Sequence, residues 1–162
     1  LIAKGVSDLH QHPARGNLNI ARESQVKDLL ISRSLMDYDW DTLTKWWEKW
    51  PNWTVPEKGF LPNDGKGGIM IEKNGKPIVA GFLYFTNSKA VLLEWIISDP
   101  EYKNKDRQEA IELLINMAEE VCKKQNQLHI FSIGRNKHLI ETHKKLGWHV
   151  DSKPSYEIIK NI

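Results

Sequence analysis

A single carboxylate interrupts a strongly apolar stretch of the chain. Glu94 lies in residues 92–98, which run Leu-Leu-Glu-Trp-Ile-Ile-Ser. Because burial of an unpaired carboxylate is costly, this side chain needs a partner or a cavity, and in a cavity desolvation would raise its pKa toward that of a useful general base. Alternation along a strand predicts that Glu94 shares one side with Ile96 and Ser98, with the odd-numbered residues on the other. A solvated glutamate, or one paired with Lys or Arg, is the alternative.

Cationic side chains follow the same stretch. Lys103, Lys105 and Arg107 lie between it and a predicted amphipathic helix. The start of a helix offers unpaired N–H groups and the positive end of the helix dipole, so this segment suits an anion such as a phosphate. Residues 100–115 contain no glycine, however, and small residues are what let a phosphate approach a loop backbone closely. The alternative is that these side chains form a solvated rim at the helix start.

Aromatic side chains are concentrated in a third segment. Fourteen residues hold Trp40, Trp46, Trp47, Trp50 and Trp53. Helical spacing divides these side chains into two stripes, and we expect only one stripe to pack on a sheet. The stripe of Trp46, Trp50 and Trp53 is then free to form an aromatic wall that stacks a base, a sugar or a cation. Packing against the loop that follows is the alternative.

Composition restricts the class of protein. The 162 residues, 40% hydrophobic and 27% charged, suit one globular domain with a full core. A net charge of +2 without a block of five or more basic residues is too small to indicate nucleic acid by itself, and nucleic acid is not an expected partner. Cys122 is the single cysteine, which excludes a disulfide framework and a cysteine-based zinc site. No apolar run approaches the ~20 residues of a membrane span, so we expect a soluble, cytoplasmic protein without a membrane partner.

The first residues of the chain differ from the rest. Residues 1–25 are rich in Gly, Pro, Asn, Ser and His without a sustained period, which predicts an irregular extension. Within it, His10 and His12 have a spacing that can ligate a metal, but no carboxylate-rich partner motif follows, and no metal site is expected. The globular domain is therefore predicted to cover residues 26–162.

Periodicity and turn residues predict the elements that must position these side chains. The predicted strands are 29–35, 69–73, 77–85, 91–98, 128–133 and 156–160. The predicted helices are 39–50, a long one that includes 110–121, and 136–146. An Asn74-Gly75 turn favours a hairpin between the second and third strands. The strand, long helix and strand from residue 91 to 133 predict a parallel pair with a crossover helix.

Two motifs within this order of elements carry a family resemblance. Ile97-Ser-Asp-Pro-Glu-Tyr-Lys103 resembles the end of the fourth strand in the acyl-CoA N-acyltransferase (GNAT) superfamily, and His143-Lys-Lys-Leu-Gly-Trp148 resembles its Tyr-x-x-x-Gly-Phe ending. The resemblance covers roughly residues 29–162. It implies an α+β fold with a mixed, mostly antiparallel sheet flanked by helices, in which strands four and five are parallel and splayed. The resemblance is compatible with either a monomer or a homodimer.

The resemblance also implies a function. In such proteins acetyl-CoA donates an acetyl group to an amine, so the acceptor would be a small-molecule or peptide amine. The resemblance places pantetheine against the fourth strand and pyrophosphate at the next helix start. The implied cofactor-binding residues are Ile96, Ile97, Ser98, Lys103, Lys105, Arg107 and Asn136.

The loop before the long helix departs from the family pattern Arg/Gln-x-x-Gly-x-Gly/Ala. Asp106 and Gln108 replace both small residues, so one adds a carboxylate where phosphate should lie and the other adds bulk. Lys103, Lys105 and Arg107 would then have to bind the pyrophosphate through their side chains. The alternative is that CoA is not bound and that the fold serves as a non-catalytic binding or protein-interaction module.

Acyl transfer needs a base for the amine and a proton donor for the departing thiolate. Glu94 is the best candidate for the base. The family's usual donor is a tyrosine in the final helix, which His143 matches, and an imidazole titrates near neutrality. A structural or surface histidine is the alternative. Because the tryptophan-rich helix and the loop after it lie beside the acceptor site in this family, Trp46, Trp50 and Trp53 would contact the acceptor.

Overall fold

The computed structural model describes residues 28–162. The predicted extension, its two histidines and the start of the predicted domain at residue 26 lie outside these residues. The elements of the described part are β1 (Leu30–Ser34), α1 (Trp40–Lys49), β2 (Gly68–Lys73), β3 (Lys76–Phe85), β4 (Ala90–Ser98), α2 (Arg107–Lys124), β5 (His129–Phe131) and α3 (Lys137–Lys145). Short 3-10 turns lie at Asp37–Asp39, Lys58–Phe60 and Pro62–Gly65.

The strands form one mixed sheet in the order β1-β2-β3-β4-β5. Its first three pairings are antiparallel, and β4 and β5 are parallel. The hairpin between β2 and β3 turns at Asn74 and Gly75, both with positive φ, which is the backbone that a two-residue type I′ turn requires. The predicted α+β class and the parallel pair are therefore confirmed.

The strand predicted at residues 156–160 is wrong. Residues 149–162 have no helix or strand, and the side chains of Tyr156 and Ile158 are 95% and 92% exposed. The alternating apolar residues of this segment have strand propensity, but they bury no face on the sheet. Propensity without a pairing strand and a buried face does not hold a strand in water.

The core has two parts, one on each face of the sheet. Between α2 and the sheet lies a cluster that includes Ile71, Leu93, Leu114 and Cys122, so the cysteine packs as a small apolar side chain. The α1 cluster on the opposite face includes Leu43, Trp46, Trp47, Met70 and Phe82. Each fully buried large apolar side chain stabilises the fold by about 1.5–3 kcal/mol. Both helices are thereby fixed against the sheet.

The two predicted tryptophan stripes do not separate. Trp46 and Trp47 are both buried in the α1 cluster, so the prediction of Trp46 in an acceptor wall is wrong. The helix ends at Lys49, and Trp50 has an extended backbone with φ −74° and ψ 128°. Trp50 and Trp53 therefore leave the helical spacing on which the stripes were based.

A β-bulge interrupts β4 between Glu94 and Ile97. Ala80 pairs with Ile97 and Phe82 with Glu94, so two steps along β3 match three along β4. Within the bulge Trp95 has φ 55°, a backbone that costs a bulky residue about 1–3 kcal/mol. The extra residue reverses the alternation, so Leu93 packs in the α2 cluster and Ile97 in the α1 cluster. The prediction that all odd-numbered residues share one side is wrong for this reason.

The parallel pair separates soon after it forms. Ala90, Val91 and Leu92 pair with His129, Ile130 and Phe131. From residue 93 to residue 98, β4 continues without a paired β5 residue in the described part. The splay predicted for strands four and five is present, and it leaves a gap that α2 and α3 border.

Candidate active site

The gap beyond the β4–β5 pairing opens into a cavity of about 970 Å³. One wall is β4, where Glu94, Ile96, Ile97 and Ser98 line the cavity as predicted site residues. Other predicted residues reach it from the loop after α1 and the starts of α2 and α3: Trp50, Trp53, Lys105, Arg107 and Asn136. Nine predicted residues that are distant in sequence thus share one cavity.

Glu94 lies at the point where the two strands part. Its Oε1 accepts a hydrogen bond of 2.7 Å from the backbone N–H of Ile133. Burial raises the pKa of the Glu94 carboxyl, although this bond and the nearby charge of Arg135 oppose the rise. Arg135 forms an ion pair with Glu157, which also lines the cavity. Glu94 is therefore a half-buried carboxylate whose pKa lies above its usual range.

Aromatic side chains surround the bulge next to Glu94. The Trp95 ring lies 5.7 Å from the ring of Trp53 and 5.8 Å from that of Phe60. The Tyr84 hydroxyl donates a 3.0 Å hydrogen bond to the Phe60 carbonyl, and burial together with the charge of Glu94 raises the pKa of Tyr84 to about 12. Glu94, Trp53 and Trp95 line this end of the cavity, which we call the acceptor end, with Phe60 against Trp95 and Tyr84 bonded to Phe60.

The other end of the cavity lies at the start of α2, and we call it the helix end. Lys105 and Arg107 line it, and the first turn of the helix supplies backbone N–H groups without intrahelical acceptors. Asp106 is the N-cap residue but makes no side-chain bond to that turn. Positive charge and a helix dipole of this orientation favour an anion over a cation.

Two side chains cover the end of β4 at the helix end. Trp50 donates from Nε1 to the Ser98 carbonyl at 2.7 Å. Arg107 donates from Nη2 to the Ser98 hydroxyl, and its guanidinium lies 5.4 Å from the centre of the Trp50 ring. The polar groups of Ser98 are therefore engaged by side chains, and a ligand that binds this backbone must compete with Trp50.

Asp106 does not occupy the anion position that its place in the loop predicts. Its Oδ2 accepts a hydrogen bond of 2.8 Å from Lys73 on β2, and its Oδ1 accepts one of 2.8 Å from the Tyr102 hydroxyl. The hydrogen bond from Lys73, followed by the one from Tyr102, holds the pKa of the Asp106 carboxyl below its usual range. Asp106 is absent from the residues that line the cavity. The expectation that its carboxylate lies where phosphate would bind is wrong, because Lys73 and Tyr102 bind it outside the cavity lining.

Gln108 does line the cavity, and it connects α2 to α3. Its Oε1 accepts a 2.6 Å hydrogen bond from His138 Nε2, and its Nε2 donates to Thr142 and Glu112 at 3.1 Å. Because an amide oxygen only accepts, His138 must carry its proton on Nε2. The bulk expected of Gln108 is therefore present, and it joins the two helices beside the helix end.

His143 lies outside the cavity. The ring is 5% exposed, its Nδ1 donates to the Leu139 carbonyl at 2.8 Å, and it packs edge-on against Trp148 with 4.7 Å between ring centres. The Nε2 atom of His143 is buried without a hydrogen-bond partner in the described part of the chain. This environment matches the structural alternative, and it does not support the predicted proton donor.

Two predicted residues remain, Lys103 and Asn136. Lys103 is exposed and does not line the cavity. Asn136 accepts a 3.1 Å bond from the Leu139 N–H and thereby caps α3, although it also borders the cavity. Sequence patterns gave no signal for Trp95, Arg135 and His138, because their positions depend on the bulge and on the packing of α3.

Within residues 28–162, no three His, Cys, Asp or Glu side chains come together as metal ligands do. Among the helices of that same range, none has the length and apolar character needed to cross a membrane.

Comparisons with known proteins identify the fold. The sequence matches no protein-family model and no curated protein. Its structure is similar to the ribosomal-protein-S18-alanine N-acetyltransferase of Escherichia coli, with TM-score 0.60 and 18% identity over 74% of this chain and 77% of that one. It is also similar to AAC(6′)-Iy in complex with a CoA bisubstrate analogue, with TM-score 0.57 and 14% identity over 83% of this chain and 99% of that one.

A third similar structure is N-acetylglutamate synthase from Neisseria gonorrhoeae, complexed with coenzyme A and L-arginine. Its TM-score is 0.62 at 11% identity, over 77% of this chain and 28% of that one. The chain therefore has the GNAT fold, and its structural neighbours are acetyltransferases. Structural similarity at identities this low establishes the fold and does not identify the substrate.

Proposed function

We propose that this protein is an N-acetyltransferase that transfers an acetyl group from acetyl-CoA to an amine. The observation that carries the proposal is the cavity in the β4–β5 gap, which has Glu94 at one end and the cationic start of α2 at the other. Acetyl transfer needs this polarity, because the cosubstrate is a polyanion and the acceptor must lose a proton. The two ends match these two requirements.

The cosubstrate would enter from the helix end. Its pyrophosphate would bind Lys105, Arg107 and the first N–H groups of α2, with Lys103 adding positive charge from outside the cavity. Its pantetheine would lie along residues 96–98 of β4, where β5 has separated, and Asn136 would border it from α3. Trp50 must release the Ser98 carbonyl for a pantetheine amide to bond there.

The reaction would take place near Glu94. The Glu94 carboxylate accepts a proton from the acceptor ammonium, directly or through one water, and the neutral amine attacks the thioester carbonyl. The nitrogen of the tetrahedral intermediate then gives its second proton to water, the C–S bond breaks and CoA leaves as a thiolate. Because a thiol has a pKa of about 8.5, water can protonate that thiolate without a side-chain donor. The reaction therefore does not require His143.

The test is the rate of thiol release from acetyl-CoA in the presence of primary amines. Glu94→Gln keeps the size of the side chain and an oxygen for the Ile133 N–H, but it cannot accept a proton. We expect kcat/KM to fall about 100-fold or more while the Kd of acetyl-CoA is unchanged. Glu120→Gln, an exposed change on α2 whose carboxylate pairs with Lys123, is the matched control. Equal rates for the wild type and Glu94→Gln would refute the assignment of the base.

The pH dependence adds a second readout. Burial raises the pKa of Glu94 above the usual value for glutamate. As pH decreases through that raised pKa, kcat/KM of the wild type should fall. The pH profile of Glu94→Gln should not show this fall on its acidic side. A raised folded-state pKa also means that ionised Glu94 costs stability. The cost is absent below the unfolded pKa of about 4.3 and grows as pH rises through the folded pKa. Glu94→Gln should therefore gain stability relative to the wild type between acidic and neutral pH in thermal unfolding.

A non-catalytic binding module is the second candidate, and one observation favours it. Trp50 and Arg107 already engage Ser98, so the part of β4 that would bind pantetheine is covered by the chain itself. A module of this kind would retain the cavity and bind a ligand or partner without acetyl transfer. Titration with acetyl-CoA and CoA separates the two candidates, because only the enzyme requires the cosubstrate.

A further inference from the structure

We propose that the acceptor is a small primary amine carried on an aromatic or flat apolar body and without a carboxylate. This inference rests on the proposed acetyl transfer and specifies its second substrate. It follows from the charge, the aromatic surface and the backbone at the acceptor end of the cavity.

The charge at the acceptor end favours a cation. Glu94 lines this end, and its carboxylate is bound by one backbone N–H. The nearby Arg135 is paired with Glu157, which brings a second carboxylate to the same cavity. Lys105 and Arg107 line the helix end instead. An ammonium group is therefore attracted to Glu94, whereas a carboxylate beside the amine would meet like charge.

The aromatic surface at this end is open to a ligand. Trp53 lines the cavity and is 38% exposed, and Phe60, which is outside the cavity lining, is 47% exposed. Trp95 holds both rings together, since each lies within 5.8 Å of it. Large aromatic side chains that remain this exposed next to a cavity offer stacking faces to an aromatic ring and attract an organic cation within about 6 Å.

The backbone of β4 brings the charge and the aromatic surface together. The bulge gives Trp95 a positive φ, and its indole packs toward α1 beside Trp53 and Phe60, while the preceding Glu94 reaches the β5 side of the gap. Tyr84 connects the two groups, because it bonds to the Phe60 carbonyl and lies near enough to Glu94 for that charge to act on it. Consecutive residues of one strand thus supply a proton acceptor and an aromatic wall.

The experiment compares three acceptors that differ in one property each. 2-Phenylethylamine has the ring and the cation, butylamine lacks the ring, and phenylalanine adds a carboxylate. We expect kcat/KM for 2-phenylethylamine to exceed that of both other compounds by about tenfold or more. Binding of the same three compounds without acetyl-CoA is measured by ligand-observed NMR, and it should follow the same order.

Variants locate the effect. Trp53→Ala should raise the KM for 2-phenylethylamine about tenfold and leave the KM values for butylamine and acetyl-CoA unchanged. Phe85→Ala removes an aromatic side chain of similar exposure, 45%, that does not line the cavity, and it should change none of the three. Trp53→Phe should restore much of the lost affinity.

The outcomes separate this inference from the function on which it rests. If 2-phenylethylamine binds preferentially through Trp53 but no acetyl transfer occurs, the acceptor assignment stands and the proposed reaction fails. If acetyl transfer occurs but butylamine or phenylalanine is used equally well, the reaction stands and the acceptor assignment is overturned. Loss of affinity for all three compounds in Trp53→Ala, or neither binding nor transfer in the wild type, also overturns it.

Discussion

The two ends of the cavity differ in how far their groups are already occupied. At the acceptor end, Glu94 accepts one hydrogen bond within the described residues, and Trp53, which lines the cavity, is partly exposed. At the helix end, Arg107 is bound to Ser98 and lies over Trp50. Gln108 there is bonded to His138. For the proposed reaction, the helix end would have to rearrange to receive a cosubstrate, whereas the groups at the acceptor end are less engaged.

The two loop residues that depart from the family pattern have different consequences. Asp106 is turned to Lys73, 33 residues earlier in the chain, and leaves the cavity free of its charge. Gln108 borders the cavity and connects α2 to α3. Only Gln108 therefore restricts the approach of a phosphate to the helix start. The effect of such a departure on ligand binding depends on which partner the folded chain places beside the substituted residue.

The largest expected effect concerns Arg107. Arg107→Met removes the charge and the phosphate-binding fork but keeps an apolar stem against Trp50. A charge-assisted hydrogen bond contributes about 1.5–3 kcal/mol, so the Kd of acetyl-CoA should rise about 10- to 100-fold in calorimetry. Lys103→Met, at an exposed position outside the cavity, is the control and should have a much smaller effect. Tighter binding by Arg107→Met would mean that Arg107 closes the helix end and does not bind the ligand.

A smaller effect, of opposite sign, is expected at Gln108. Gln108→Ala removes the bonds to His138 and Thr142 together with the bulk beside the first turn of α2. The Kd of acetyl-CoA should fall about three- to tenfold, because phosphate then approaches the helix N–H groups more closely. The matched change is Asp106→Asn, which should lower the thermal stability by weakening the contact with Lys73 and leave the Kd unchanged. If Asp106→Asn alone improved binding, the contrast between the two residues would be wrong.

The smallest effect on catalysis is expected at His143, which belongs to neither end. His143→Phe keeps the ring against Trp148 but loses the hydrogen bond to the Leu139 carbonyl. The free energy of unfolding should fall by about 1 kcal/mol, while kcat and both KM values stay within about twofold of the wild type. Denaturant unfolding and thiol-release rates measure the two quantities. A large fall in kcat with unchanged stability would restore the proton-donor role.

Much of the fold could be predicted from local patterns. The Asn74-Gly75 turn, the helix that carries Leu114 and the apolar strand that carries Glu94 all follow from periodicity and turn chemistry, and the structure confirms them. These features depend on neighbours in sequence. The gap between β4 and β5 followed from the family resemblance, because nothing in the strands themselves indicates where pairing stops.

The remaining features depend on contacts distant in sequence. A bulge is one extra residue against a partner strand, so the reversal of alternation at Trp95 has no signature within residues 92–98. Trp46 is buried because the sheet face holds two adjacent tryptophans, which helical spacing alone does not predict. Likewise, the sequence around Asp106 does not indicate that it binds Lys73 on β2. The sequence therefore identified many residues that line the candidate site, but it did not predict how they are arranged.

The direct test of the account is a calorimetric titration of the wild-type protein with acetyl-CoA. We expect one site per chain with a Kd well below about 1 mM, and an affinity that falls as salt concentration rises, because salt screens the attraction between phosphates and cationic side chains. Heat that stays at the level of dilution through millimolar acetyl-CoA would contradict the proposed acetyltransferase. The GNAT fold would then serve a ligand other than acyl-CoA.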